Sequence, residues 1–208
     1  MRQIMKIRVT SFVGLAVAGS LAACAVESEV PIETERLVRE EGAAASLALT
    51  GMLQANLLSA MQEGGPVHAV DFCAGRALTL TDSVARGLGD GISLKRVSNR
   101  HRNPVNAPDA GEVKALRHFE LAFEESGSFP EDWVQRTPAG EFRYYRPLII
   151  ASPCLTCHGN PDEMDPAVVE AIRQKYPEDE ATGYESGDLR GLIRVGISAD
   201  RINAGSSG

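Results

Sequence analysis

From Glu35 to about Met61 the apolar residues Leu37, Ala44, Leu47, Met52, Leu53, Leu57 and Leu58 recur at helical spacing, which predicts a long amphipathic helix. Gly64-Gly65-Pro66 closes that run, and Phe72 to about Arg86 reads as a second helix ended by Gly87 and Gly89. Ile92 to Val97 then alternates apolar with polar residues, the pattern of a half-buried strand. Residues 98–110 hold two prolines and three asparagines and are expected as a structured loop. Asp109 is placed to cap a helix through Leu116, Phe119 and Phe123 that stops near Gly127. Trp133 to Arg136 and Phe142 to Ile150, joined across Thr137-Pro138-Ala139-Gly140, predict a β-hairpin. Asp165-Pro166 opens a further helix to about Tyr176, and Leu192 to Ile197 is expected as the last strand. Helices first, then an antiparallel sheet interrupted by a helical insert, is the order of an α+β domain.

The first residues do not fit that pattern. Arg2, Lys6 and Arg8 precede a short apolar stretch, Ser11 to Leu21, which ends in Leu21-Ala22-Ala23-Cys24. This is the layout of a bacterial lipoprotein signal peptide, in which the cysteine after the cleavage site takes the lipid. The expected organisation is a signal peptide over 1–23, a polar linker over 24–34, one domain over 35–200 and a tail over 201–208. Residues after Cys24 carry no inner-membrane retention signal, so the expected location is the periplasmic face of the outer membrane. Several acyl chains on Cys24 would hold the body there durably. Charge agrees with a soluble, tethered body: 21 basic against 28 acidic residues give −7, and removing the three positive groups of residues 1–23 gives −10. A surface of that sign excludes nucleic acid as a partner.

Cys154-Leu155-Thr156-Cys157-His158 carries the chemistry. C-x-x-C-H is the attachment signature of a c-type haem. On one helical turn positions i, i+3 and i+4 share a face, so both sulfurs reach the porphyrin while the histidine meets the iron. A zinc site would need a second ligand pair, and a thioredoxin-like motif would sit in a parallel βαβ unit; the sequence offers neither. One covalent haem per chain is the expected cofactor. Cys73 is then left without a disulfide partner in an oxidising compartment. It is either a small buried thiol or the second axial ligand, with Met52, Met61, Met164, His68, His101 and His118 as rivals. Arg100, Arg102, Arg143 and Arg146 are candidate partners for the haem propionates, Arg102 and Arg146 foremost.

Several short motifs in series add to this. They are Cys73, Arg102-Asn103-Pro104 with Asn106-Ala107-Pro108, Tyr144-Tyr145-Arg146-Pro147-Leu148, Cys154 to Gly159, and Tyr176-Pro177 leading to Gly183-Tyr184, Gly187-Asp188 and Arg190-Gly191. Together they resemble the small PAS-like haem c domains of bacteria, which occur as secreted haem proteins and as sensor regions of histidine kinases. The resemblance spans roughly residues 35–200. It implies a PAS-like antiparallel sheet and His/Cys axial ligation, with Cys73 opposite His158. With both axial positions filled, substrate chemistry is disfavoured and the chain is not expected to be an enzyme. The expected function is one-electron transfer with a separate redox partner protein. The alternative is a haem-based redox or gas sensor that signals through another chain.

Overall fold

The computed structural model describes residues 30–205. Cys24 and the expected signal peptide lie outside the described residues. The chain begins with α1 (Ile32–Leu88), whose helical geometry breaks at Gly64 and Gly65. Gly65 adopts φ 72°, a left-handed conformation that glycine takes without a Cβ clash. Pro66 follows, preset for the start of a helix. Two limbs result, 32–63 and 66–88, as the glycine-proline punctuation predicts, although the second limb starts earlier than Phe72.

Next come β1 (Ile92–Val97), a short 3₁₀ turn at Pro104–Asn106, and α2 (Ala110–Ser126). Asp109 caps α2, and the cap is reciprocal: its side chain accepts from the Glu112 amide at 2.8 Å while the Glu112 carboxylate accepts from the Asp109 amide at 2.8 Å. The hairpin strands are β2 (Trp133–Arg136) and β3 (Phe142–Ile149). A second 3₁₀ turn, Ser152–Cys154, runs into the single-turn helix α3 (Leu155–His158), followed by α4 (Pro166–Lys175), β4 (Leu189–Ile197) and α5 (Ala199–Gly205). The strands form one antiparallel sheet in the order β1-β4-β3-β2. The fold class is therefore α+β, with the motif-bearing helices inserted between β3 and β4.

Strand alternation builds a three-layer body. Phe142 and Tyr144 of β3, with Ile193, Val195 and Ile197 of β4, turn to one face and pack against Val38, Ala45 and Leu49 of α1. Tyr145 and Leu192 turn to the other face and meet Ala115, Leu116 and Phe119 of α2. The core face of the first limb thus runs through Val38, Gly42, Ala45, Ser46 and Leu49. Leu47 and Met52, expected on its apolar stripe, are 55% and 44% exposed. Close approach explains this, because Gly42 lies flat against Tyr144, where only a residue without a side chain fits. The packed body also runs past residue 200, since Ile202 of α5 joins the α1 face of the core. Leu189 and Arg190 extend β4 beyond its expected start because Leu189 pairs with Ile149 across a register shift.

Candidate functional site

The second limb of α1 presents Ala69, Val70, Cys73 and Ala77 to one cavity, spaced so that they share a helix face. Leu57, Leu58 and Met61 of the first limb reach the same cavity, so the Gly64-Gly65 elbow borders it. Cys154, Cys157 and His158 supply another part of the lining, joined by Arg96, Arg102, Tyr176 and Arg190. The cavity measures about 450 Å³, within the roughly 300–1,000 Å³ of small-molecule and cofactor sites. Leu57, Leu58 and Leu78 on its rim are 40%, 59% and 37% exposed, so a large apolar group seated there would cover them.

His158 is held with care. Its Nδ1 lies 2.7 Å from the Ala181 carbonyl oxygen. A carbonyl can only accept, so Nδ1 carries the proton and Nε2 keeps a free lone pair, the state a metal ligand needs. Burial pushes the imidazole pKa down to about 3, helped by the Arg102 and Arg190 charges, so the ring stays neutral. Residues 181–184 form a strap behind the motif. Within it Tyr184 N–H donates to the His158 carbonyl at 2.9 Å, and Gly183 N–H donates to the Gly159 carbonyl at 2.7 Å.

Arg102 fastens the strap. Its Nη2 donates to the Cys157 carbonyl at 2.6 Å and to the Ala181 carbonyl at 3.3 Å, while Nε pairs with Asp179 at 3.0 Å. The expected propionate partner thus lines the cavity while its donors hold the motif in place. Arg146 is not among the lining residues. Its position on β3 alternates with Tyr145 and matches Tyr144, beside which its charge sits. Arg100 lies 3.9 Å over the Tyr184 ring, and Arg143 pairs with Asp109 and Glu141.

Of the expected sulfur and imidazole donors, Cys73 and Met61 reach the cavity; Met52, Met164, His68, His101 and His118 are absent from its lining. His118 stacks on Trp133 at 4.8 Å. Burial pushes the Cys73 thiol up, with the charges of Arg96 and Arg102 pulling the other way.

Sequence reasoning passed over Arg96 and Arg190. Arg96 occupies the same strand face as Ile92 and Leu94, both packed on the α1 core. A cation on the apolar side of an alternating strand was the signal available. Arg190 reads as a turn brace, and it does donate to Ser98 Oγ at 2.9 Å and the Arg100 carbonyl at 3.0 Å. Its place in the cavity wall needed the fold.

A four-stranded antiparallel sheet, a long N-terminal helix laid across one face, and a cysteine-histidine turn that lines one cavity with a cysteine of that helix together define a PAS-like α+β domain with a cofactor-sized site. The family described as Tll0287-like matches residues 26–198, and the chain belongs to it. Among solved structures the chain is similar to the cyanobacterial heme-protein Tll0287, at 26% identity and TM-score 0.58, over 82% of this chain and 98% of that one. No curated protein matches.

Proposed function

We propose that this chain is a periplasmic, lipid-anchored monohaem protein working in one-electron transfer, its haem attached through Cys154 and Cys157 with His158 and Cys73 as axial ligands. The observation that carries the reading is the convergence of Cys73, from α1, with the C-x-x-C-H turn, about eighty residues later, on one largely apolar cavity. The family relationship supports it, since a member is a haem protein. Haem bound here supplies an iron centre that exchanges one electron, and an anionic sulfur ligand favours its ferric form. The chain's own residues set the conditions. His158 is fixed in tautomer and orientation by Ala181, the motif turn is locked by Arg102, and α1 brings the thiol from a distant part of the sequence. Cys24 anchors the body. The seven residues between Cys24 and Ile32 span at most about 25 Å, which keeps the domain close to the membrane and to a membrane-bound redox partner.

The test is expression with c-type maturation machinery, followed by visible absorption and electron paramagnetic resonance of wild type beside Cys73→Ala. Low-spin thiolate signals in the wild type, lost in the variant while haem stays attached, are the expected result. Identical spectra would remove Cys73 as a ligand, and a wild type without covalent haem would overturn the haem reading. Carbon monoxide added to the reduced protein checks electron transfer against gas sensing: the Soret band stays in place for a carrier and shifts promptly for a sensor.

A further inference from the structure

Three guanidinium groups line the cavity, and two are committed elsewhere. Arg102 has Asp179 as its counter-ion and two carbonyls as acceptors. Arg190 donates to Ser98 and to the Arg100 carbonyl. Arg96 differs. Its Nε is buried and has no hydrogen-bond partner, and among the described residues it forms no ion pair. The groups whose charge it feels are Cys73 and Tyr176, and both are shifted by burial toward their neutral forms. An unpaired buried guanidinium on a cofactor-sized cavity is a costly arrangement unless an anion joins it there.

The chemistry of the fork decides which anion. A guanidinium offers Nε–H and a terminal N–H in parallel, matched to the two oxygens of a carboxylate. A single sulfur bound to iron would answer one of them. Arg96 is part of the cavity wall, and it stands opposite Ile193 on the sheet face turned to α1, near the end of β1. We propose that Arg96 is the anchoring cation for a carboxylate of the bound cofactor, a haem propionate, in place of the loop and hairpin arginines. The assignment rests on the haem reading above and adds to it the residue that fixes the macrocycle's orientation in the cavity.

The test uses the lipidated, haem-loaded protein and resonance Raman spectroscopy of the propionate-bending band. Arg96→Gln shifts that band, and Arg96→Lys, which keeps the charge without the fork, shifts it part of the way. In a redox titration Arg96→Gln raises the ferric-to-ferrous ratio at fixed potential on the order of tenfold, because a nearby positive charge is lost. The same band shift appears when Arg96→Gln is made in the Cys73→Ala background. An unshifted band in haem-loaded Arg96→Gln overturns the proposal and leaves the haem reading standing. A shift that vanishes without Cys73 also overturns it, because the guanidinium would then act on the thiolate. A wild type that carries no haem would instead fell the underlying reading, and this assignment with it. If Arg96→Gln fails to accumulate, Arg96→Lys decides the matter alone, since an unshifted band there is incompatible with a bidentate carboxylate contact.

Discussion

Cys73 and Met61 are the two sulfur donors that α1 offers to the cavity. They differ in the charge they could bring to iron. A thiolate is anionic and a thioether is neutral, so the spectra and the potential distinguish them. Met61→Leu conserves volume, and it is expected to leave the low-spin thiolate signature and the redox midpoint of the loaded protein unchanged. If Met61→Leu alters the axial spectrum and Cys73→Ala does not, the ligand assignment moves to Met61. The cysteine-histidine turn was legible as sequence because its three chemical groups are contiguous and their spacing encodes one helical face. Arg96 was legible only in principle. The groups whose charge it feels, Cys73 and Tyr176, come from segments 23 residues before it and 80 after it, and no local pattern reports that encounter.

At the scale of elements, α1 does two jobs separated by its elbow. The first limb packs the sheet through Val38, Ala45 and Leu49, and the second carries Cys73 to the cavity. The two glycines of the first limb respond to substitution in opposite directions. A Cβ on Gly42 would overlap Tyr144 Cγ, so Gly42→Ala must displace a fully buried ring and is expected to cost about 1–3 kcal/mol. Gly51 has open space around it, and Gly51→Ala is expected to add about 0.5–1 kcal/mol through helix propensity alone. Denaturant midpoints of the two variants should fall on opposite sides of the wild type. A neutral Gly42→Ala would mean that α1 does not press the sheet as closely as described. The sequence pattern marked the helix correctly and placed Leu37 and Leu53 against the core, but it also put Leu47 and Met52 there, because periodicity counts apolar positions and cannot see that a tyrosine on β3 demands a glycine opposite it.

For the whole molecule, the two layers that flank the sheet are tied in different ways. α1 packs by apolar contact, whereas α2 adds a buried ionic cluster. Lys95 and Arg194 stand opposite each other on β1 and β4, a like-charge pair that by itself opposes pairing. Glu112 of α2, 1% exposed, accepts from Lys95 Nζ at 2.7 Å and from Arg194 Nε at 3.3 Å while closing the cap with Asp109. Glu112→Ala leaves two facing cations and removes one of the two capping bonds, and is expected to cost about 3–5 kcal/mol, seen as a lower midpoint in chemical denaturation of the apo and loaded protein alike. A loss under about 1 kcal/mol would show the cluster to be no stronger than a surface ion pair.

The sequence by itself determined the α+β order of elements, the elbow in α1, the cap on α2 and the chemical identity of the site. Each of these is written in short-range pattern: periodicity, glycine-proline punctuation, or a spacing of three and four residues. Tertiary structure decided which of the remaining groups share the site. It brought Cys73 and Met61 to the cavity, turned Arg102 into the fastener of the motif strap, left Arg146 outside the cavity lining, and buried the Nε of Arg96 without a hydrogen-bond partner. The physical reason is that sheet register and helix docking set these neighbours through contacts dozens of residues apart. Such contacts are fixed by packing, and packing leaves no local trace in the order of residues.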